Sequence, residues 1–315
     1  MMNKSLMPEA DVMSSGVAWS ASSMAGLSFA EEGGLENSTE NCGRSSAPAS
    51  KPAPGRKAAA KLPEAGIQAT AEKVLRSFNT WAFKREQPSD PQLMLRFIAD
   101  AVAGQEPIPF VLYWGKGPRS DVGAPEIQCL DFLGAMSSRL QAAYAPGAVL
   151  TLIFTDTHAE LNGHAKQDFQ RYFAAVKAVA TQRGIETCVL GSLVKTAGHL
   201  ATVAPIEETV SSETLSLLLA SAQKWYHGSG TAQEGALAYL RMNLIEQRVV
   251  EWAFPRSIFV TFNGSDLRGL FPRQLPIFYM YSLRRGFGVK PWFLPSESAS
   301  ANCAHQGHQP SPDAS

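Results

Sequence analysis

Ala148-Val149-Leu150-Thr151-Leu152-Ile153-Phe154 runs straight into Thr155-Asp156-Thr157-His158-Ala159-Glu160-Leu161-Asn162-Gly163-His164. Seven nearly continuous apolar residues behind the stop Pro146-Gly147 are too short for a buried helix and predict a strand covered on both faces, as in a parallel sheet. Upstream, Pro125 opens a helix whose Ile127, Leu130, Leu133, Met136, Leu140 and Tyr144 form one apolar stripe. Before it, Pro109–Trp114 reads as a second buried strand. A helix precedes that strand, with Asp90 as cap, Pro91 in its first turn, Met94, Phe97, Ile98 and Val102 at helical spacing, and Gly104 at its end. Downstream, Phe169, Tyr172, Phe173, Val176 and Val179 mark a helix ending at Gly184, and Ile185–Leu190 the next strand. Helices are predicted near Glu207–Trp225 and Glu234–Phe254, and strands near Ser257–Phe262 and Pro276–Ser282. Arg284-Arg285-Gly286 reads as a turn and Val289–Phe293 as a last strand. Such alternation predicts an α/β fold: a Rossmann-like, mostly parallel central sheet flanked by helices, with a helical second half.

Residues 1–65 are rich in Ser, Ala, Gly and Pro and are expected to be a disordered arm and linker. Residues 66–295 are expected to form one α/β domain and residues 296–315 a disordered tail. Of the 315 residues 45% are hydrophobic, enough for a sizeable core. Lys+Arg and Asp+Glu both number 28, so no global charge favours nucleic acid or an anionic membrane as partner. No apolar run reaches the ~20 residues of a membrane span, and Met1-Met2-Asn3-Lys4 leads into no apolar leader. A cytoplasmic protein is expected, with Cys42, Cys129, Cys188 and Cys303 as unpaired thiols and no CxxC motif.

Open parallel sheets bind ligands at the carboxyl ends of their strands. The loop Trp114-Gly115-Lys116-Gly117-Pro118-Arg119 leaves one such end. Its glycines admit close backbone approach, and Lys116 and Arg119 suit a phosphate or carboxylate; the plainer alternative is a solvated turn with two surface cations. It is not a GxxxxGK[ST] loop, and no GxGxxG follows the first strand, which argues against a nucleotide or dinucleotide site. The second loop is richer. An extended chain would put Asp156, His158 and Glu160 on one face, as an acid–base group or, with His164, as metal ligands. Alternatively Asp156 or Asn162 caps the following helix and the histidines face water. Thr261 and Asn263 end a later strand, followed by Asp266, Arg268 and Arg273. Trp225-Tyr226-His227 suits a helix end, and Pro291-Trp292-Phe293 core or pocket wall.

The order of these pieces, roughly from Leu75 to Leu294, resembles the isocyanide (isonitrile) synthase family, which includes pyoverdine-type and dityrosine spore-wall biosynthesis proteins. The shared features are Lys116 after an early strand, Tyr144-Ala145-Pro146-Gly147-Ala148 leading into a strand, Asp156 just after it, a later helix rich in Glu and Arg, Phe254-Pro255, and a final Pro291-Trp292. Two motifs depart: Thr155-Asp156-Thr157-His158 stands where the family reads Ser-Asp-Gly-Arg, and Thr261-Phe262-Asn263 where it reads Ser-Ile-His.

The resemblance implies condensation of an L-amino acid's amine with the ketone of ribulose 5-phosphate. Rearrangement and fragmentation then leave the nitrogen and one sugar carbon as an isonitrile. It implies no metal or redox cofactor, and a downstream tailoring enzyme as pathway partner. Lys116, Asp156, His158 and Glu160 become the expected catalytic residues. Trp114, Arg119, Thr155, Asn162, Thr261, Asn263, Arg268 and Arg273 become the expected substrate contacts. Two alternatives stay open: a metal-dependent hydrolase using Asp156, His158, Glu160 and His164, and a non-catalytic divergent member that binds a phosphorylated ligand.

Overall fold

The computed structural model describes residues 63–115, 117, 119–197, 211–281 and 290–293. All of them lie in the compact unit Asn41–Ser315; a second unit, Met1–Glu40, lies outside the described residues. So do the tail 296–315, almost all of the arm, Cys42, Cys303, Lys116 and the turn Arg284-Arg285-Gly286.

Five strands form one all-parallel sheet: β1 (Ile108–Trp114), β2 (Ala148–Phe154), β3 (Glu186–Val189), β4 (Ile258–Thr261) and β5 (Ile277–Tyr279). Their order is β3-β2-β1-β4-β5. The chain therefore builds outward from β1 through β2 to β3, then returns to lay β4 on the other side of β1. The gap between β1 and β4 is the topological switch point, where an open parallel sheet leaves a crevice.

The helices are α1 (Glu64–Phe78), α2 (Pro91–Gly104), α3 (Ala124–Ala143), α4 (Asp156–Leu161), α5 (Lys166–Thr181), α6 (Leu190–Thr196), α7 (Ser212–Trp225) and α8 (Ala232–Ala253). Because strand side chains alternate, β1 sends Phe110, Leu112 and Trp114 to one face and Val111 and Tyr113 to the other. The first face packs on α1, α3 and α5, and the second on α6 and α8. A third apolar cluster joins α7 to α8. The expected cap holds: Asp90 accepts from the Leu93 N–H at 3.1 Å, with Pro91 in the first turn. Cys129 and Cys188 are buried, and neither forms a disulfide with a described residue. Among the described residues no helix is long and apolar enough to cross a membrane.

Three features differ from expectation. Helix α1 starts at Glu64, inside the last residues assigned to the arm, and seats Phe78 edge-on between Phe110 (5.4 Å) and Phe278 (5.1 Å). Residues 291–293 form a 3-10 turn, not a strand. Pro291 has no N–H to give a ladder, and Trp292 is drawn into the core beside Trp114 and Phe262. Finally, Asp156–Glu160 is helical, not extended. The β1–β2 ladder runs out at the Trp114–Phe154 pair, so the backbone turns inward and the Ala159 N–H bonds the Thr155 carbonyl at 3.1 Å. An aspartate in the first turn suits the helix dipole.

Replacing Phe78 by Ala removes the ring that fixes α1 to the sheet. It is expected to cost about 3–5 kcal/mol, seen as a lower urea midpoint with an unchanged slope.

Candidate active site

The carboxyl edge of the sheet carries two groups of opposite charge. The basic group sits at the end of β4. There a cavity of about 430 Å³ is lined by Arg85, Lys224, Lys290, Asn263, Asp266 and the rings of Trp225, Phe262 and Phe293. Segment 83–89 covers the β5 edge through Arg85 N–H to Tyr279 O (2.9 Å) and Tyr281 N–H to Phe83 O (3.0 Å). That docking delivers Arg85, whose guanidinium donates to the Phe262 carbonyl at 3.2 Å and pairs with Glu86 at 3.4 Å. Trp225 at the end of α7 stacks on Phe293 at 4.8 Å. Lys224 lies over the Trp225 ring at 4.7 Å and Lys290 over Phe293 at 5.6 Å. Neither ammonium has a carboxylate partner among the described residues. Burial of its amine, with repulsion from Arg85 added, lowers the Lys290 pKa to about 8. Unpaired cations crowded into a partly dehydrated hollow favour an anionic ligand.

The acidic group sits at the ends of β2 and β3. Asp156 accepts the Gly191 N–H, at the start of α6, at 2.8 Å. Burial raises its pKa and the backbone donors hold it back. Glu160, one turn on, is raised by burial and then by the Asp156 carboxylate. Thr157 and His158 turn the other way. Both reach Glu246 of α8, the hydroxyl at 2.8 Å and the ring Nε2 at 2.8 Å. Glu246 is 1% exposed. Helical spacing thus splits the residues that an extended chain would align: Asp156 and Glu160 share one side, and His158 joins a carboxylate from another helix.

The other expected contacts distribute unevenly. Asn263 lines the cavity. Trp114 is wholly buried, packs on Trp292 at 5.2 Å and donates to the Tyr172 hydroxyl at 3.4 Å, so it belongs to the core and not to a ligand surface. Arg119 is neither ligand site nor surface cation. It is buried against Glu126 at 3.0 Å, beside the Tyr172 hydroxyl, which donates to the same carboxylate at 3.3 Å. Burial raises the Glu126 pKa, and the Arg119 charge opposes that rise. The glycines around Lys116 do not open a ligand path either: a Cβ on Gly115 would lie 3.1 Å from the Trp292 indole, and one on Gly117 would overlap the Trp292 carbonyl. Lys116 itself lies outside the described residues.

Thr155 bonds the Trp114 carbonyl (3.3 Å), and Thr261 accepts from the Asn263 N–H (3.1 Å); both are buried and structural. Asn162 accepts from the Tyr239 hydroxyl. Arg268 donates to the carbonyls of Phe271, Pro272 and Arg273, which commits it to its own loop. Arg273 is exposed and does not line the cavity. Among the described residues no three of His, Cys, Asp and Glu gather as a metal site, so the hydrolase alternative gains nothing from Asp156, His158, Glu160 and His164.

Arg85, Lys224, Lys290 and Glu246 were not legible as site residues. Trp225 reads from sequence as part of a helix end and Phe293 as core or pocket wall, and only the fold brings their lysine neighbours together.

No protein-family model and no curated protein matches this sequence. The PvcA protein from Pseudomonas aeruginosa has the same fold, with a TM-score of 0.55 at 20% identity over 71% of this chain and 87% of that one. Tyrosyl-tRNA synthetases overlay more loosely. The Pyrococcus horikoshii enzyme with L-tyrosine gives 0.39 at 13% identity over 64% of this chain and 52% of that chain. The Leishmania major enzyme with tyrosinol gives 0.44 at 11%, over 67% and 31%. Those two likenesses are too loose to bear on this chain.

Glu126→Ala takes the carboxylate from a buried guanidinium and should destabilise the fold by about 3–5 kcal/mol, read from chemical denaturation. A loss below 1 kcal/mol would mean that the ion pair does not anchor the loop after β1.

Proposed function

We propose that the protein is a divergent isocyanide-synthase-type enzyme that joins the amine of an L-amino acid to ribulose 5-phosphate and releases an isonitrile. The observation that carries this reading is the pairing of a basic cavity at the β4 end with an acidic group at the β2 and β3 ends of one sheet. Strands β2 and β4 both neighbour β1, so their ends stand about 10 Å apart, two strand spacings. An ammonium and a sugar phosphate need such a divided site. The fold shared with PvcA agrees with the sequence resemblance.

In this reading the phosphate rests on Arg85, Lys224 and Lys290, with Asn263 as a neutral contact. These replace Arg119, Arg268 and Arg273 in that role. The resemblance assigns Lys116 to the substrate as well. Asp156, His158 and Glu160 move protons as the amine adds to the ketone and water leaves. Burial of the Asp156 carboxylate makes it a better proton acceptor than an exposed aspartate. The reaction draws on no metal or redox cofactor, and its reactive product calls for a tailoring enzyme downstream.

A second reading has its own support. Asp156 is already held by a backbone N–H and His158 by a buried carboxylate, an arrangement that also suits a non-catalytic binder of a phosphorylated ligand.

Incubation with ribulose 5-phosphate and the twenty L-amino acids, with tetrazine trapping and mass spectrometry, separates the two. A trapped adduct identifies reaction and substrate together. Phosphate-ester binding without an adduct selects the binder, and loss of both sinks the site assignment. Lys224→Ala with Lys290→Ala should weaken sugar-phosphate binding about 10- to 100-fold, as expected for charge-assisted hydrogen bonds. The ammonium is the binding form, so wild-type affinity should fall as pH rises through about 8, measured by calorimetry.

A further inference from the structure

We infer that His158 and Glu246 form a proton-carrying pair: Glu246 is a positioning residue that fixes the imidazole, and His158 Nδ1 takes the proton from the substrate's ammonium. This rests on the amine-consuming reaction proposed above.

Glu246 comes from the middle of α8 and is almost wholly buried. One carboxylate oxygen accepts the Thr157 hydroxyl at 2.8 Å, and the other lies 2.8 Å from His158 Nε2. A buried carboxylate can only accept, so the hydrogen of the neutral ring is assigned to Nε2. The lone pair then falls on Nδ1. That nitrogen has no hydrogen-bond partner among the described residues, and the side chain is 27% exposed. A carboxylate behind one nitrogen and a free lone pair on the other is the geometry of an oriented general base.

A second observation points to the same place. The Tyr113 hydroxyl, on the neighbouring strand β1, is buried without a hydrogen-bond partner among the described residues. Burial and then the charge of Glu246 raise its pKa, which places the phenol within the field of that carboxylate. Buried hydroxyls are seldom left unmet unless a ligand or water meets them. Asp156 and Glu160 on α4 add negative charge, offset by Lys166 and Lys195 acting on Glu160. The surroundings favour a cationic ammonium. The sequence adds a reason for the pair. His158 stands where the resembled family has an arginine, so a permanent cation is replaced by a group able to gain and lose a proton.

The step balances. Nδ1 takes one proton from the ammonium, and the N–H bonding pair stays on nitrogen as the pair that attacks the ketone. Attack leaves an alkoxide and a protonated secondary amine, and one proton passes from that nitrogen to the oxygen to give the carbinolamine; the imidazolium, its Nε2–H still on Glu246, then returns its proton to the carbinolamine hydroxyl as the C–O bond breaks. Water leaves, and an iminium remains.

The test uses full-length protein with 15N-labelled histidine. There are six histidines, and the His158 signals are assigned by their loss in His158→Gln. Multiple-bond 15N–1H correlation should show one Nε2–H tautomer in the wild type, a tautomer mixture in Glu246→Gln, and recovery in Glu246→Asp. An Nδ1–H wild type, or an unchanged Glu246→Gln spectrum, overturns the pair without any substrate. In the trapping assay His158→Gln should lower kcat by about 10²- to 10⁴-fold with KM little changed. Glu246→Gln should lower it less, with partial rescue by Asp. Unaltered kcat in His158→Gln overturns the base role. A wild type with the fixed tautomer and no turnover overturns the proposed reaction, and the base role with it, but not the pair.

Discussion

Strand β1 is hydrogen-bonded on both sides and covered on both faces, and most of the molecule is arranged around meeting those four demands. β2 and β4 take its edges. Alternate side chains go to two separate apolar clusters, one under α1, α3 and α5 and one under α6 and α8. β1 is both central and first of the strands in sequence, so the chain leaves to one side through β2 and β3 and comes back on the other with β4 and β5. That return creates the crevice at the β1–β4 junction, and the end of β4 is where the cation-lined cavity opens. The cavity is a consequence of topology before it is a consequence of any side chain.

The same strand end shows how a buried polar network replaces what resembled a binding loop. Trp114, Tyr172, Glu126 and Arg119 connect in series through the interior. A buried ion pair adds little net stability over an apolar filling of similar shape, because both charges must leave water. Its value lies in direction: each member accepts only specific geometry, and together they hold the chain after β1 against Trp292. The cations that line the cavity come instead from segments distant in sequence, Arg85 from the strap over β5 and Lys224 and Lys290 from the α7 end and the last turn.

Charge is divided across the sheet edge. Carboxylates gather where β2 and β3 end, and ammonium groups where β4 ends. Neither cluster neutralises the other, which is the condition under which each retains the potential to attract a ligand of opposite sign. The overall balance of 28 basic and 28 acidic residues conceals this division.

The sequence alone determined the class of fold. Continuous apolar strands such as Ala148–Phe154, striped helices and their capping residues are local signals whose periods follow from backbone geometry, so β1 to β5 and most helices were readable. It also located Asp156 and His158 at a strand end. What it could not determine was which way the chain continues past Phe154, because that depends on where the partner strand stops. The helical turn, set by the end of the β1–β2 ladder, parted His158 from Asp156 and gave it to Glu246, 88 residues away. Nor could spacing separate Arg119, spent on a buried glutamate, from Lys290, which lines a cavity. Both are basic residues in loops, and their difference is solvation and partners, quantities that exist only once distant segments have packed.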